Sequence, residues 1–333
     1  MAEAVSKKNS SFVSVLRIFA ALAVVVIHTR SLANHETLGY NLVYAMLLWS
    51  VPVFFMMTGY IFLGIKKCVE YKDIKKNVFR FLAVLVVLGM FFSLSERVFT
   101  AGTFQFKMLG DAISDVIQGN LFDHMWYLYE IIGLYLLLPV FSAFLKNNEK
   151  NLYIFIALLF GVNFLIPELF SLLDMKFAVD LSIGKYALYL FLGAAMHRMS
   201  DRLVQRLFVP SVLTLALIFV GQAVTSFVFD EMIELSYVRS YVVVMSCCVF
   251  CIFRHLFDKE RFDTKFIREL AGCTWGIYLF HPYVIHIFGK LFKISIVSYN
   301  NWIAFPICCA VVFTASAVGT FVLRKIPVIK RFL

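Results

Sequence analysis

Two ionisable side chains interrupt an apolar segment near the start of the chain. The segment "LRIFAALAVVVIHTR", residues 16–30, contains Arg17 near its beginning and His28 near its end. The two residues are 11 positions apart, close to three helical turns, so a helix would carry both side chains on one face, about 16 Å apart along its axis. A guanidinium can bind an anionic group such as a phosphate, and a neutral imidazole can act as a general base. The spacing therefore predicts a site that combines anion binding with proton transfer.

The composition indicates that this helix lies in a membrane. The 333 residues are 61% hydrophobic and 16% charged, whereas soluble domains are about half apolar and about a quarter charged. An ionisable residue within a membrane span costs about 2.5 to 3.5 kcal/mol on insertion scales, so it usually faces the bundle interior or a water-filled cavity. The alternative is that Arg17 reaches the cytoplasmic surface and His28 lies at the outer interface. The shared helix face favours the functional interpretation.

The elements that must position these residues are apolar segments long enough to cross a bilayer. Ten such segments are predicted, at 12–29, 42–65, 78–98, 126–145, 152–170, 183–199, 208–229, 237–257, 274–292 and 301–323. Each should be helical, because lipid offers the backbone no hydrogen-bond partners. Most of the 31 Lys and Arg residues fall on the N-terminal side of this arrangement, so the positive-inside rule predicts that both termini are cytoplasmic. We therefore predict an all-α polytopic membrane protein, with residues 1–333 forming a single domain.

The charge and cysteine content exclude other classes of partner. A net charge of +10 is explained by cations that set membrane topology, so no nucleic-acid partner is predicted. Most of the seven cysteines lie within spans, which argues against a disulfide framework. Cys247, Cys251 and His255 fall on one helix face, but structural zinc sites use four ligands, so no metal is predicted.

Further polar residues are predicted near the outer ends of spans. Glu130 lies about one turn after the start of the fourth span, at nearly the depth of His28. A carboxylate beside an imidazole can orient the ring and stabilise its charged form, so Glu130 is a candidate catalytic partner. The alternative is a hydrated acid at the interface. Glu96 and Arg97, near the outer end of the third span, compete for the same role.

Three aromatic or imidazole side chains complete the candidates found by position. His124 and Trp126 fit an aromatic belt at the membrane interface, and Trp126 is also a candidate for substrate binding. His281 precedes Pro282 in the inner half of the ninth predicted span. A structural role and a role in the donor channel both remain open for His281.

Four segments of the chain resemble a known family. The sequences "LRIFAALAVVVIHT", "VPVFFMMTGYIFL", "HMWYLYEIIGLYLLLP" and "GIYLFHPYVI" are similar, in order and over nearly the whole chain, to the membrane acyltransferase type 3 family and its stand-alone O-acetyltransferases. The resemblance implies ten helices in a bacterial cytoplasmic (inner) membrane. It also implies transfer of an acyl group, usually acetyl from cytoplasmic acetyl-CoA, to a hydroxyl of a cell-surface or lipid-linked glycan. The glycan, the acyl group and the choice between direct transfer and a covalent acyl-histidine remain open.

The resemblance assigns roles to residues of this sequence. His28 corresponds to the catalytic base and Arg17 to its companion on the same helix. The family usually has two arginines, three residues apart, at the start of the third helix, where they handle the CoA donor. Arg80 matches the second, while Asn77 stands in place of the first and Lys76 is the neighbouring cation. The alternative for Lys76 and Arg80 is positive charge that sets topology.

The segment "FFMMTGYIF" supplies the remaining substrate-binding candidates. The family more often has Ser before the Gly, and Thr58 keeps that hydroxyl. Thr58 and Tyr60 are therefore candidates for substrate contact. Close helix packing through Gly59 is the alternative explanation of this segment.

A function from another class remains open. Similar ten-helix domains occur fused to membrane-bound serine racemases, where they are associated with amino-acid uptake, so a transporter of a small solute is the alternative to an acyltransferase. A polar stripe in the bundle could line either path. Membrane lipid surrounds the protein in both cases, and homo-oligomerisation is left open.

Overall fold

The structure is a bundle of helices. The computed structural model describes residues 11–32, 38–66, 68–121, 124–146, 148–179, 182–228, 235–291 and 301–333. Every regular element within these ranges is helical, which confirms the predicted all-α class. The helices are α1 (Ser11–Thr29), α2 (Leu38–Leu47), α3 (Ser50–Gly59), α4 (Tyr71–Ala101), α5 (Lys107–Gln118), α6 (Trp126–Lys146), α7 (Lys150–Phe160), α8 (Ile166–Ser171), α9 (Ser182–Arg198), α10 (Asp201–Phe227), α11 (Ser240–Phe257), α12 (Lys265–His286), α13 (Asn301–Leu323) and α14 (Pro327–Lys330).

Eight helical segments among the described residues are long and apolar enough to cross a membrane. They are Ser11–Thr29, Gly39–Ile65, Tyr71–Ala101, Trp126–Lys146, Lys150–Ser171, Asp201–Phe227, Ser240–Phe257 and Ile303–Leu323. The two other predicted spans, 183–199 and 274–292, coincide with α9 and with the later part of α12. Residues 1–10, 229 and 292 lie outside the described residues. The chain is thus a multi-pass membrane protein, and the cytoplasmic placement of its termini stays a prediction.

The surface of the bundle suits a lipid environment. Helix α10 exposes large apolar side chains along its length, including Leu213 (58%), Leu217 (72%) and Val220 (56%). Helix α9, by contrast, is central, because its residues Leu188–Phe191 are fully buried. A helix that is apolar all round is buried or lipid-facing. Helix α9 is buried, and helix α10 presents a lipid-facing surface.

Helices α3 and α9 approach each other at backbone contact. A Cβ added to Gly59 would collide with the carbonyl oxygen of Leu190, and one added to Gly193 would collide with the carbonyl oxygen of Met56. Small residues at such crossings let helix backbones pack closely in membranes. The predicted close approach at Gly59 is confirmed, and it fixes the part of α3 that carries Thr58.

Helix α12 begins earlier than the hydropathy pattern predicted. Its first turn is capped by Thr264, whose Oγ1 accepts a hydrogen bond from the backbone N–H of Ile267 at 3.2 Å. The helix then runs 22 residues from Lys265, so His281 lies about 24 Å along it. His281 thus lies in the later half of α12, whereas the hydropathy pattern predicted it in the first half of the span 274–292.

Candidate functional site

Three arginines from different helices line one cavity of about 370 Å³. Arg17 comes from α1, Arg80 from the third turn of α4, and Arg324 from the turn that follows α13. Among the described residues that line this cavity, none carries a carboxylate side chain. The volume lies within the range of ligand pockets, about 300 to 1,000 Å³. This arginine cavity is suited to an anionic group.

Two aromatic side chains of the cavity wall pack against Arg80. The guanidinium of Arg80 lies 5.3 Å from the ring centre of Phe81 and 5.7 Å from that of Trp275. The Nε atom of Arg80 is buried and has no hydrogen-bond partner among the described residues. A buried donor without a partner costs about 1 to 3 kcal/mol, so this atom fits a ligand that accepts a hydrogen bond there.

The third arginine is positioned by α12. Arg324 lies 3.6 Å from the Sγ of Cys273 and 4.0 Å from a carboxylate oxygen of Glu269. Its guanidinium occupies the space beside Gly272, where a Cβ would meet Nη1. The C-terminal segment closes this side of the cavity, because Leu333 lines it and the indole N–H of Trp275 donates to the Phe332 carbonyl at 2.9 Å.

Three histidines form a cluster beyond the arginine cavity. The ring centre of His28 lies 5.1 Å from that of His281 and 6.3 Å from that of His124, and the latter two are 5.6 Å apart. His281 is fully buried and His124 is 3% exposed. His28 therefore faces the interior of the bundle. His28 itself is half-buried and is the second-last residue of α1.

The hydrogen bond of His281 fixes its tautomer. Its Nδ1 lies 2.9 Å from the carbonyl oxygen of Ile277. Because a carbonyl only accepts, Nδ1 must carry the proton, which leaves Nε2 with a lone pair. That Nε2 atom is buried and has no hydrogen-bond partner among the described residues. The cluster thus contains an acceptor ready for an O–H or N–H group beside His28.

Packed side chains connect the arginine cavity with the histidine cluster. Arg17 and Val24 both line the cavity, and His28 follows Val24 by one turn on the same face of α1. Tyr278 also lines the cavity, and its ring lies 5.4 Å from His124 and 6.4 Å from His281. The hydroxyl of Tyr278 donates to the His124 backbone carbonyl at 2.6 Å. Continuous packing therefore connects the anion site with the imidazoles.

The cysteines and acidic residues give no indication of a metal centre. All seven cysteines are free thiols. Across the described ranges, no group of three or more His, Cys, Asp or Glu side chains is arranged to hold a metal ion. The side chains available for chemistry at this site are imidazoles and guanidiniums.

The structure places some of the predicted donor-site residues in the arginine cavity and one of them outside it. Arg17, Arg80 and Thr58 line the arginine cavity together. The hydroxyl of Thr58 donates to the Phe54 carbonyl at 3.0 Å. Lys76 is exposed and does not line the cavity. The substitution of Lys76 for the missing family arginine is therefore not supported by its position, because Lys76 lies one turn before Arg80, nearer the exposed start of α4 and outside the cavity lining.

Tyr60 lies away from the arginine cavity. It is 1% exposed, and its ring packs edge-on against Phe12 at 5.4 Å and against His197 at 5.0 Å. Tyr60 follows Thr58 by two residues, which turns its side chain to a different face of the helical segment. Its position corresponds to the packing interpretation, and substrate contact by Tyr60 is not supported.

Glu130 and Trp126 face α9 instead of the histidines. Glu130 interacts electrostatically with Lys185 and Tyr186 of α9, and the ring of Trp126 lies 5.1 Å from that of Tyr186. The cavity-lining residues of α6 are Tyr127, Ile131 and Tyr135, spaced by four. Glu130 and Trp126 precede that row by one residue and so point to another face. The position of Glu130 does not support its pairing with His28, and Trp126 does not line the arginine cavity.

Glu96 and Arg97 also have other partners. A carboxylate oxygen of Glu96 lies 3.3 Å from Nε2 of His286, and Arg97 donates to Asp115 at 2.7 Å. His124 was predicted to belong to an aromatic belt at the membrane interface. The structure instead places it as a buried neighbour of His28. Its place beside Trp126 in an apolar segment gave only an ambiguous signal.

Arg324 was also not singled out from the sequence. It belongs to a run of cations after the last span, which is typical of a cytoplasmic topology signal. The packing of α13 against α12 places it in the arginine cavity. No local pattern distinguishes it from its neighbour Lys325, whose ammonium lies over the ring of Phe321 at 5.0 Å.

Comparison with known proteins agrees with this arrangement. The acyltransferase 3 family, described as an acyltransferase domain, matches residues 10–321. An amino-acid racemase from Enterococcus faecalis is 24% identical, and the alignment covers 98% of this chain and 48% of the racemase. The chain therefore spans about half the length of that relative. No solved structure matches the chain. Because the family match covers most of the sequence and nearly all of the described helices, the chain belongs to the acyltransferase 3 family.

Proposed function

We propose that this protein transfers an acyl group, in the first instance acetyl, from acyl-CoA to a hydroxyl group of a glycan. The observation that carries the proposal is that Tyr278 lines the arginine cavity and also packs against His124 and His281 of the histidine cluster. Arg17 and His28 are separated by about 16 Å along α1. A donor that carries anionic groups at one end of a flexible arm and a thioester at the other suits this separation.

The residues of the arginine cavity fit the phosphate-bearing part of such a donor. Arginine binds phosphate oxygens through paired hydrogen bonds. Three guanidiniums line this cavity, and the carboxylate described near them is that of Glu269, 4.0 Å from Arg324. The apolar and aromatic wall between Arg17 and Tyr278 would hold an extended arm and exclude water. The donor, when bound, supplies the thioester.

His28 performs the chemical step in this proposal. Its imidazole accepts the proton of the acceptor hydroxyl, and the hydroxyl oxygen forms the new ester bond to the acyl carbon. The carbon–sulfur bond breaks, and the thiolate leaves and takes up the proton from the imidazolium. In the alternative route His28 first attacks the thioester itself and then passes the acyl group to the hydroxyl. Both routes need the same ring at the same place.

We further propose that the reaction crosses a bacterial cytoplasmic membrane. Cytoplasmic acetyl-CoA would enter from the side of Arg17, and a cell-surface or lipid-linked glycan would enter from the side of His28. This follows from the predicted cytoplasmic N-terminus and the order of Arg17 and His28 along α1. Acetyl-CoA is a substrate here, and the proposal requires no metal.

The function is tested by labelling cell-envelope glycans. Membranes that contain the protein and receive acetyl-labelled acetyl-CoA should yield glycan-bound label that hydroxylamine releases, as expected of an ester. The label should be absent when His28→Ala replaces the wild type at equal protein level. Unchanged glycans after deletion of the protein, together with lost uptake of an amino acid, would instead establish the transporter alternative.

Arg80 and Lys76 provide a matched pair for the donor site. Replacing Arg80 by alanine should raise the KM for acetyl-CoA by about tenfold or more, because a charge-assisted hydrogen bond contributes about 1.5 to 3 kcal/mol. Lys76→Ala, one turn away but exposed and outside the cavity, should leave that KM within about twofold of wild type, as expected of a solvated surface charge. Equal effects of the two substitutions would argue against the arginine cavity as the donor site.

His281 should affect the chemical step and not donor binding. Its Nε2 lone pair, held in place by the Nδ1 hydrogen bond to Ile277, can accept a hydrogen bond from the incoming hydroxyl. His281→Phe keeps the ring volume but removes that acceptor, so kcat should fall by about 10- to 100-fold while the KM for acetyl-CoA stays unchanged. A raised KM with an unchanged kcat would place His281 in donor binding.

A further inference from the structure

A second cavity, of about 440 Å³, lies between α4 and α5. Its lining includes Phe92, Ser93, Glu96 and Arg97 from α4, and Asp115 and Asn120 from α5 and the turn that follows it. We call it the α4–α5 cavity. It lies near the C-terminal end of α4, whereas Arg80 of the arginine cavity lies nearer its N-terminal end. The two cavities therefore open toward different ends of the bundle.

The turn after α5 shapes one edge of this cavity. Gly119 adopts a left-handed conformation with φ of 78°, which residues other than glycine rarely adopt. The backbone N–H of Asn120 donates to the Asp115 carbonyl at 2.9 Å. This C-cap ends the helix and directs Asn120 to the cavity, where it is exposed.

The electrostatics of the α4–α5 cavity oppose those of the arginine cavity. Arg97 is held between two carboxylates, donating to Asp115 at 2.7 Å and lying 3.6 Å from Asp111. Burial opposes ionisation of Asp115, but hydrogen bonds from Ser93 and Arg97 outweigh it and keep its pKa below the ordinary value. Glu96 adds a third carboxylate, 3.3 Å from His286. Three carboxylates against Arg97 leave the fixed charge negative even when His286 is protonated, so an anionic ligand would be repelled.

The functional groups of the α4–α5 cavity suit a ligand with many hydroxyls. Each hydroxyl can donate to a carboxylate and accept from a guanidinium, an amide N–H or the Ser93 hydroxyl. The ring of Phe92 supplies an apolar surface at the inner end of the cavity. A few polar groups around an aromatic wall are typical of sites that orient a small polar ligand.

Phe92 connects this cavity with the histidine cluster. Its ring lies 6.2 Å from that of His124, which in turn lies 6.3 Å from that of His28. Phe92 also stacks on Tyr283 of α12 at 5.8 Å. Phe92 is therefore shared between the α4–α5 cavity and the interior that surrounds His28.

We propose that the α4–α5 cavity binds the acyl acceptor, and that the acceptor is a neutral polyhydroxylated compound, such as an uncharged sugar unit, and not an acidic one. This inference rests on the proposed acyl transfer and adds the acceptor site and its charge selectivity. The arginine cavity then holds the anionic donor and the α4–α5 cavity holds the neutral acceptor. Opposite electrostatics keep the two substrates in separate sites.

The test uses the full-length protein in nanodiscs, acetyl-CoA, and the acceptors para-nitrophenyl glucoside, para-nitrophenyl glucuronamide and para-nitrophenyl glucuronide. The glucuronamide and the glucuronide carry the same hydroxyls and differ in the charge at C6. Wild-type protein should acetylate the neutral glucuronamide with a kcat/KM at least about tenfold above that for the glucuronide, because like charges repel in a partly buried site. Equal rates for these two, a preference for the glucuronide, or acetyl-CoA turnover that leaves all three glycosides unmodified would overturn the assignment.

A pair of substitutions locates the acceptor. Asn120→Trp fills the cavity from an exposed position and should raise the KM for the glucoside about tenfold or more, with the KM for acetyl-CoA unchanged. Ile117 lies on α5, is 77% exposed and is outside the cavity lining. Ile117→Trp should therefore match the wild type in the KM for the glucoside and in the KM for acetyl-CoA. Identical behaviour of the two variants would refute the acceptor site alone, whereas absence of acetyl-CoA turnover by the wild type would refute the proposed acyl transfer itself.

Discussion

Replacing His28 by alanine is expected to lower kcat for acetyl transfer by about 10³-fold, within the range of 10² to 10⁴ typical of a general base. The expectation is independent of the route, because direct transfer and a covalent acyl-histidine both use this ring. The ring lies 5.1 Å from His281 and 6.3 Å from His124, inside the bundle. The measurement is release of CoA thiol and formation of acetyl ester by protein purified in nanodiscs.

His255 provides the matched control for this substitution. It lies on α11, where its ring packs on Phe208 at 4.5 Å, and it lines neither described cavity. His255→Ala should therefore retain kcat within about twofold of the wild type. If His28→Ala kept more than about a tenth of the wild-type kcat in folded protein, the assignment of His28 as the base or nucleophile would be wrong.

Replacing Arg17 by alanine is the second large effect that we expect. Arg17 lines the arginine cavity together with Arg80 and Arg324, and truncating one partner of a buried charged contact costs about 2 to 5 kcal/mol. The kcat/KM for acetyl-CoA should therefore fall about 30-fold or more. Arg17→Lys should recover part of this loss, because lysine keeps the charge but lacks the planar pair of donors.

The control for Arg17 is an arginine in a surface ion pair. Arg268 bonds the Asp263 side chain at 2.8 Å near the start of α12 and lies outside the arginine cavity. Arg268→Ala should leave kcat/KM for acetyl-CoA within about twofold of wild type, because exposed ion pairs contribute about 0 to 1 kcal/mol. A normal kcat/KM in Arg17→Ala would contradict donor binding by the arginine cavity.

The part of the site that could be predicted from sequence is the part fixed by local geometry. Arg17 and His28 lie on one continuous helix, Ser11–Thr29, so their shared face follows from the helical repeat alone. The assignment of Arg80 to the cavity followed from the family pattern. These predictions needed no knowledge of how distant segments pack.

The residues that sequence reasoning misplaced depend on tertiary packing. His124 reaches His28 from a position nearly 100 residues away in the chain, and hydropathy cannot distinguish a buried imidazole from one in an interfacial belt. Glu130 was expected beside His28 at equal depth, but depth does not fix rotation about the axis of α6. Its face is set by packing against α9, which leaves Tyr127, Ile131 and Tyr135 toward the cavity.

The fold was predicted in class and in its longest segments, while helix ends were not. Charged first turns hid the beginning of α12 at Lys265 and of α10 at Asp201, because hydropathy detects apolar interiors and not capped polar turns. The cap residues Thr264 and Ser200 are the signals that would have found them. The level of His281 relative to His28 is given by their ring contact at 5.1 Å and not by where α12 begins.

The most direct test of the central claim is to separate donor and acceptor by a sealed membrane. The protein is reconstituted in liposomes that enclose para-nitrophenyl glucoside, and acetyl-CoA is added outside only. If His28 receives the donor from one side and the acceptor from the other, free CoA thiol should accumulate outside while acetylated glucoside forms inside, and His28→Ala should form neither. Acetyl-CoA turnover without any acetylated glucoside inside intact vesicles would contradict transfer across the membrane.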